Sequence, residues 1–381
     1  MVNKRKIILR FILVLIQLQG FILPVNSQVR IFERQDTMDI IRDGIDKAYN
    51  YEFQAADSIF QQVERMCPRH PVNPFLRGFL IYWEKNPITP FEERSGEFLS
   101  EIAIALHLSQ NMTEKDEEDI EGIFFDLAGH ALILLYYADN GESMEVISLV
   151  GPTYRRLKQG FELGDEFPEF RFFTGVYNYY REVYPVIHPV YKPISLFFPP
   201  GDKEAGWNML LWIKDHSVFL RAEALYFLSH IAMSMEDNPE LSLSFSTEVL
   251  EIFPGNNFFR VRHLLGLNSA GDYNEMKRQV EILKQKSSQD KFARLGSLVF
   301  GGIVEEKVDQ DDNAAFRNYK EGLALAEEFG VRVDNYATLA HLGLSRIYGR
   351  RGEKKLARAH WKQAKSMAKY DYLLKNHSYR P

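Results

Sequence analysis

Six residues near the end of the chain constrain its fold more than any other part of the sequence: Leu344, Tyr348, Gly352, Ala357, Trp361 and Ala364. Leu344 and Tyr348 stand four apart, as do Ala357 and Trp361, a spacing that puts each pair on one face of a helix. Between them, Gly349-Arg350-Arg351-Gly352 supplies the permissive backbone of a tight turn. Residues 339–369 are therefore expected to form two short amphipathic helices packed antiparallel. Tyr348 and Trp361 are the large side chains that fill the gap, while Ala357 and Ala364 let the backbones approach.

L-G-x-x-Y on one helix followed by A-x-x-x-F on the next is the pattern of the tetratricopeptide (TPR) repeat, and this hairpin resembles it. His341, Ser345 and Lys369 depart from the usual Trp, small Gly and closing Pro. The rest of the chain reads as looser copies. Ala56, Phe60 and Pro68 repeat the second-helix and closing-Pro spacing, and Ala315 and Tyr319 repeat its core pair. Further paired helical patterns span 219–253, 258–286 and 292–329, giving about five to seven hairpins. No stretch alternates in polarity for long enough to claim a sheet. The expected fold is all-α, a right-handed α-solenoid of TPR-like antiparallel hairpins.

Segment 172–211 carries the most distinctive pattern. Phe172-Phe173-Thr174-Gly175-Val176-Tyr177-Asn178-Tyr179-Tyr180 precedes a loop with Pro185, Pro189, Pro193, Pro199 and Pro200. Gly201-Asp202-Lys203-Glu204-Ala205-Gly206-Trp207 then opens a new helix, with Asp202 placed to cap it. G-x-Y-N-Y-Y, a Pro-rich interruption and G-D-K-E-x-G resemble a family of secreted TPR proteins common in Bacteroidota. The resemblance implies that the loop is an insertion between the two helices of one repeat. It implies architecture and export, and no activity.

The other end of the chain speaks to location. Asn3-Lys4-Arg5-Lys6 is followed by a mostly apolar run over 7–23, then by Val25-Asn26-Ser27 before Gln28, the layout of a cleaved secretory signal. Arg10, Gln17 and Gln19 interrupt the run, which argues against a spanning anchor. The expected organisation is a signal at 1–27, helical hairpins over 28–183, a Pro-rich loop over 184–201, and further hairpins of the same solenoid over 202–381. Export to the periplasm or outer envelope follows, with no transmembrane span in the mature chain. Removal of four basic residues and no acids takes the formal charge from −6 to −10, which argues against a nucleic-acid partner. The single cysteine, Cys67, permits no internal disulfide, so packing must hold the fold.

Signatures of chemistry are missing. The sequence holds no G-x-x-x-x-G-K-[ST], H-E-x-x-H or G-x-S-x-G, and no dinucleotide-binding glycine pattern. Asp126 and His130 share a helical face, which suits a buried polar pair better than a metal site with only two ligands. His188, in the Pro-rich loop with Tyr184 and Tyr191, has no identifiable catalytic partner. The expectation is a non-enzymatic scaffold without metal or cofactor, binding another protein or peptide.

Two binding surfaces are suggested. Nine Lys and Arg against Glu353 alone give 346–369 a local charge of +8. In the repeat, first helices line the concave groove, which places Arg346 and Arg350 to clamp a carboxylate there, whereas Lys354, Lys355, Arg358 and Lys362 belong to the second helix. A solvated terminal cap or an anionic lipid surface would account for the same charge. The second surface is the aromatic segment, where Tyr177 and Tyr180 could stand in a groove or stack on sugar rings. Most helix-spaced aromatics fill cores, and these are expected to do so too.

Overall fold

The computed structural model describes residues 30–164, 166–187, 189 and 192–375; the expected signal at 1–27 lies outside them. Sixteen helices of thirteen residues or more account for most of the described residues, which contain no strand. They are α1 Gln35–Tyr49, α2 Phe53–Met66, α3 Val72–Glu84, α4 Ser95–Thr113, α5 Ile120–Asp139, α6 Ser143–Leu163, α7 Phe170–Ile187 and α8 Lys203–His216. Then come α9 Arg221–Ser234, α10 Pro239–Ile252, α11 Asn257–Ala270, α12 Tyr273–Lys286, α13 Lys291–Val304, α14 Asp312–Ala326, α15 Asp334–Arg350 and α16 Lys354–Met367. Each packs chiefly on its neighbours in sequence, and α1 with α3, α3 with α5, α11 with α13, and α13 with α15 also touch. The fold is thus an all-helical succession of packed helix pairs.

Local chemistry sets many of the boundaries. Asp119, Asp202, Asn238, Asn256, Asp272, Asp290 and Asp311 each accept a hydrogen bond from the first turn of the helix that follows, at α5, α8, α10, α11, α12, α13 and α14. The acidic run 114–119 lies between α4 and α5, with Asp119 as the cap. Gly352 makes the α15–α16 turn with φ of +78°, a left-handed conformation that a side chain would strain.

The α15–α16 hairpin shows how the repeat pattern is used. Leu344, Ala357 and Ala364 are fully buried, and the Ser345 hydroxyl donates to the Ala357 carbonyl across the helices at 2.8 Å. Tyr348 is half-buried, with its ring edge-on to Phe316 and parallel to His360. Trp361 is also only half-buried, so it does not fill the hairpin core as its spacing suggested. The deep aromatic here is Tyr319 of α14, seated between Gly302 and Gly343, where Cβ atoms would lie 2.7 and 2.2 Å from its ring. At the other end of the chain, Ala56 and Phe60 are buried as expected, whereas Pro68 is exposed.

The Pro-rich segment is more helical than its prolines implied. α7 runs through Pro185 to Ile187, and a single turn spans Lys192–Ser195. Pro185 lies in the last turn of α7, where it forfeits its own i→i−4 bond but only two helical residues follow it. On either side of the loop, α7 and α8 cross at glycines. A Cβ on Gly206 would lie 2.6 Å from the Gly175 carbonyl oxygen, and one on Gly201 would lie 2.3 Å from that of Asn178. The glycines of the motif are thereby explained as a close helix crossing. The Tyr177 hydroxyl donates to the Pro199 carbonyl at 2.7 Å, and Arg181 donates to that of Phe198 at 3.0 Å, tying the loop back to α7.

Contacts distant in sequence fold the row of helices back on itself. The Tyr49 hydroxyl bonds the Glu223 carboxylate, Arg221 pairs with Asp46 at 3.0 Å, and the Asn256 side-chain amide donates to the Tyr49 carbonyl at 2.8 Å. Gly255 sits on the α1–α2 turn, with its Cβ position 2.2 Å from the Asn50 carbonyl oxygen. Trp83 of α3 packs on Phe258 and Phe259 of α11. Farther on, Arg332 reaches Asp139 at 3.0 Å and also bonds the Ile88 carbonyl. First helices from the two halves therefore meet across the interior.

α5 is long and apolar enough to cross a membrane by composition, but 61% of its apolar window is buried in the protein. Cys67 is a free, buried thiol.

The crossing of α7 and α8 makes a direct prediction. Gly206→Ala should destabilise the chain by about 1–3 kcal/mol through overpacking, because backbone and not a flexible side chain stands in the way. Gly96→Ala, with open space around it, is the control and should be close to neutral. Denaturant melts of both variants measure the difference.

Candidate functional site

The two arginines read as a carboxylate clamp already hold a carboxylate, and it belongs to this chain. Glu306 lies in a π-helical turn, Glu305–Asp309, that ends α13. Arg346 Nε and Nη2 donate to the two Glu306 oxygens at 2.7 and 2.6 Å, a bidentate pair in a buried setting. The Tyr319 hydroxyl donates to Glu306 Oε2 at 2.9 Å, and Arg350 reaches its Oε1 at 3.0 Å. Arg350 then grips Asp312 with two further bonds at 2.8 and 2.6 Å. Burial works against a charged Glu306, but Arg346, Tyr319 and Arg350 outweigh it and hold its pKa at about 2. Sequence spacing put these arginines on the groove; the structure turns Arg346 into the core, where Glu306 is its partner. Lys354, Lys355 and Arg358 are exposed on α16, as a solvated end would have them.

The aromatic segment divides between two faces. Tyr179 is fully buried, with its hydroxyl bonded to Glu236. Tyr177 lies against Tyr154 and Phe161 and is engaged with the loop. Tyr180 is half-buried and faces inward, its ring near Tyr184 and Phe227. His188 and Tyr191 lie outside the described residues.

Asp126 and His130 are brought together at 2.9 Å, and Arg156 completes the group at 3.2 Å from Asp126. Burial opposes the charge on His130, yet its bonds to Asp126 raise its pKa. Among the described residues no three metal-ligating groups converge, so this is a buried polar pair supported by an arginine.

Sequence reasoning missed two interior features. His70 and Glu121 form a buried pair at 2.7 Å, with the other Glu121 oxygen taking the Phe32 amide at 2.7 Å and His70 Nδ1 taking that of Val72 at 3.1 Å. The second is a patch of tyrosines around Arg262. The guanidinium lies 5.2 Å from the Tyr226 ring centroid and 3.4 Å from His230 Nδ1, and the Tyr370 hydroxyl is 3.3 Å from His230 Nε2. Burial and Arg262 push the His230 pKa to about 3, so its ring is neutral at pH 7. Arg332 and Asp139 pair on the same side of the molecule. A tyrosine every few residues in the first helices was the available signal, but it is shared by any aromatic core.

A groove opens between α14, the 3₁₀ turn Glu327–Val333, α15 and α16. Its volume is about 590 Å³, with Leu323, Ala326, Val333, Ala337 and Met367 as apolar lining and Lys320, Glu327 and Asp334 as charges of both signs. His341 and His360 both line it and contact each other, Nδ1 to Nδ1 at 2.8 Å, so one ring must donate and the other accept. Burial and Lys320 lower both pKa values, that of His341 to about 4. The groove is open, wettable and free of any nucleophile–base pair. No protein-family model matches this chain, and no curated protein matches it either.

The Glu306 cluster predicts an acid sensitivity. A carboxylate with a folded pKa near 2 and an ordinary unfolded value adds stability above about pH 4.5, and that stability is lost as pH falls toward 2. Glu306→Gln should lower stability at pH 7 by about 3–5 kcal/mol, since Arg346 is left buried without its counter-charge. It should also flatten the loss between pH 4.5 and 2. Urea melts across that range check both the size and the slope.

Proposed function

We propose that this chain is an exported, non-enzymatic TPR-like solenoid scaffold that binds another protein, or an extended peptide from it, in the bacterial cell envelope. The observation that carries the reading is the 590 Å³ groove at α14–α16, which falls in the range of about 300–1,000 Å³ common for ligand sites. Its apolar floor offers burial to a partner's side chains, and its Lys320 and Asp334 rim offers orientation to a partner's backbone and charges. Export rests on the N-terminal pattern of basic residues, apolar run and small residues. The repeat identity rests on the paired-helix packing and on the α15–α16 hairpin.

Charge reversal at Arg346 would strike Glu306 and not a partner, so another probe is needed. Ala324 lines the groove and is exposed, so Ala324→Trp fills the space without entering the core. Crosslinking capture from native envelopes should lose its principal adduct in this variant, with the melting temperature unchanged. An adduct captured equally well by both proteins would rule out the groove.

A second reading, contact with envelope glycans, is favoured by Leu196 and Phe197, which are 82% and 84% exposed in the Pro-rich loop. An array of envelope glycans should then report binding that Phe197→Ala abolishes. A blank array for the unmodified chain removes this reading.

A further inference from the structure

The first half of α6 is an apolar helix that the protein leaves largely uncovered. Met144, Ile147, Gly151 and Tyr154 follow one another at spacings of three and four, which makes them a single row along it. Nothing lies within 4 Å of a Cβ built on Gly151, so the row faces open space. Glu145 falls off the row, and Lys158 ends it. α7 returns alongside α6, with Tyr177 against both Tyr154 and Phe161, which brings its exposed end, Val186 and Ile187, level with the first turns of α6. The Pro-rich loop lies beside the same row, since Phe198 packs edge-on to Tyr154 with centroids 4.8 Å apart. Next to Phe198, Leu196 and Phe197 project from the loop. Met144, Ile147, Val186, Leu196 and Phe197 are 55–84% exposed, more than any other large apolar side chain among the described residues except Phe91.

The polar chemistry of this patch distinguishes lipid from a protein partner. Glu145 is the only charged residue in 143–154, and Lys192 the only one in 192–200, in a chain that is 26% charged overall. The hydroxyls are spent inside. Ser148 donates to the Glu145 carbonyl at 2.7 Å, Thr153 to that of Leu149 at 2.7 Å, and Ser195 to that of Lys192 at 2.8 Å. The carbonyls of Phe198 and Pro199 are taken by Arg181 and Tyr177, and the prolines of the loop have no amide to satisfy. A protein interface of standard size carries about ten direct hydrogen bonds, and this surface offers few groups to make them. Hydrocarbon demands the reverse, that polar groups be satisfied from within. Side chains that project, and do not line a recess, also need no matching pocket in a fluid bilayer. Cations stand exposed at the edge, Arg155 and Lys158 on α6 and Lys192 on the loop, with stems long enough to reach headgroup phosphates.

We propose that the α6 row and the tip of the Pro-rich loop rest on a phospholipid bilayer, with Leu196 and Phe197 entering the acyl region and Lys158 and Lys192 meeting anionic headgroups. This contact goes beyond the scaffold reading. It uses other helices than the α14–α16 groove, and either stands without the other.

The test is co-sedimentation of purified residues 28–381 with vesicles of phosphatidylethanolamine and phosphatidylglycerol at pH 7. Leaving out the apolar run over 7–23 keeps it from binding lipid itself, and vesicles without glycans separate this contact from the glycan reading of Phe197. The chain should pellet with the vesicles, and should still do so at high salt, where attraction between exposed charges is screened. Leu196→Ser and Phe197→Ser should each lower the partition coefficient by about tenfold, the rough worth of burying one such side chain. Both positions are exposed, so melting temperatures should match the parent. Ile282→Ser, at an exposed position on α12, is the control and should partition like the parent. A parent chain that stays in the supernatant, or serine variants that pellet undiminished, overturns the proposal. Self-association that Phe197→Ser abolishes, with no vesicle binding, also overturns it and assigns the patch to contact between copies of the chain.

Discussion

Tyr49 is the point on which the arrangement closes. Its ring touches Phe79 and Trp83 of α3, Phe253 at the end of α10 and Phe259 of α11, with centroids 5.0–6.2 Å away. Its hydroxyl and its carbonyl are both taken, by Glu223 and by the Asn256 side chain. A helix pair from the start of the chain is thus sealed against pairs some 200 residues later. Repeat arrays ordinarily contact only their neighbours, and their inner face stays open. Here helices far apart in sequence are joined through aromatic side chains, with Phe79, Trp83, Phe253 and Phe259 gathered around Tyr49. Glu223 is the cost of the seal: burial lifts its pKa to about 7, and the Tyr49 hydroxyl only partly offsets this.

Buried carboxylates stand at several junctions between helices. Glu169 takes the Ser217 hydroxyl and the Val218 and Phe219 amides at the entrance to α9, and burial still lifts its pKa to about 7. Glu121 joins α5 to His70 and to Phe32. Glu306 joins α13, α14 and α15 through Tyr319, Arg346 and Arg350. Glu121 and Glu306 each collect donors from two segments and Glu169 ties the start of α7 to the α8–α9 turn, so each fixes relative placement where apolar packing alone would allow sliding. Glu306 has two arginines as counter-charge and is held acidic, whereas Glu169, which collects neutral donors, is not. Arg262 is the converse, a cation collected by rings and no acid.

Helix positions were legible in the sequence because they rest on local rules. The periodicity of α9 and α10, the Asp202 cap and the Gly352 turn all depend on residues within a few positions of each other. Pro185 misled, since it reads as a break but sits in the last turn of α7. Trp361 and Arg346 misled for another reason. Repeat spacing tells which face of a helix a residue is on, but not what the neighbouring repeat presents to that face. Glu306, forty residues from Arg346 and in an irregular π-turn, has no spacing signature at all.

The sequence by itself determined that this protein is all-helical, that its helices come in antiparallel pairs, and where most pairs begin and turn. Those properties are local, set by periodicity, capping and backbone freedom. Only the tertiary structure decided which charges find a counter-charge. Arg346, exposed by any reading of its own helix, is neutralised by a carboxylate from elsewhere in the chain. Arg262, unremarkable in sequence, is left without one. The physical reason is that ion pairing acts over a few ångströms in space and is indifferent to separation along the chain.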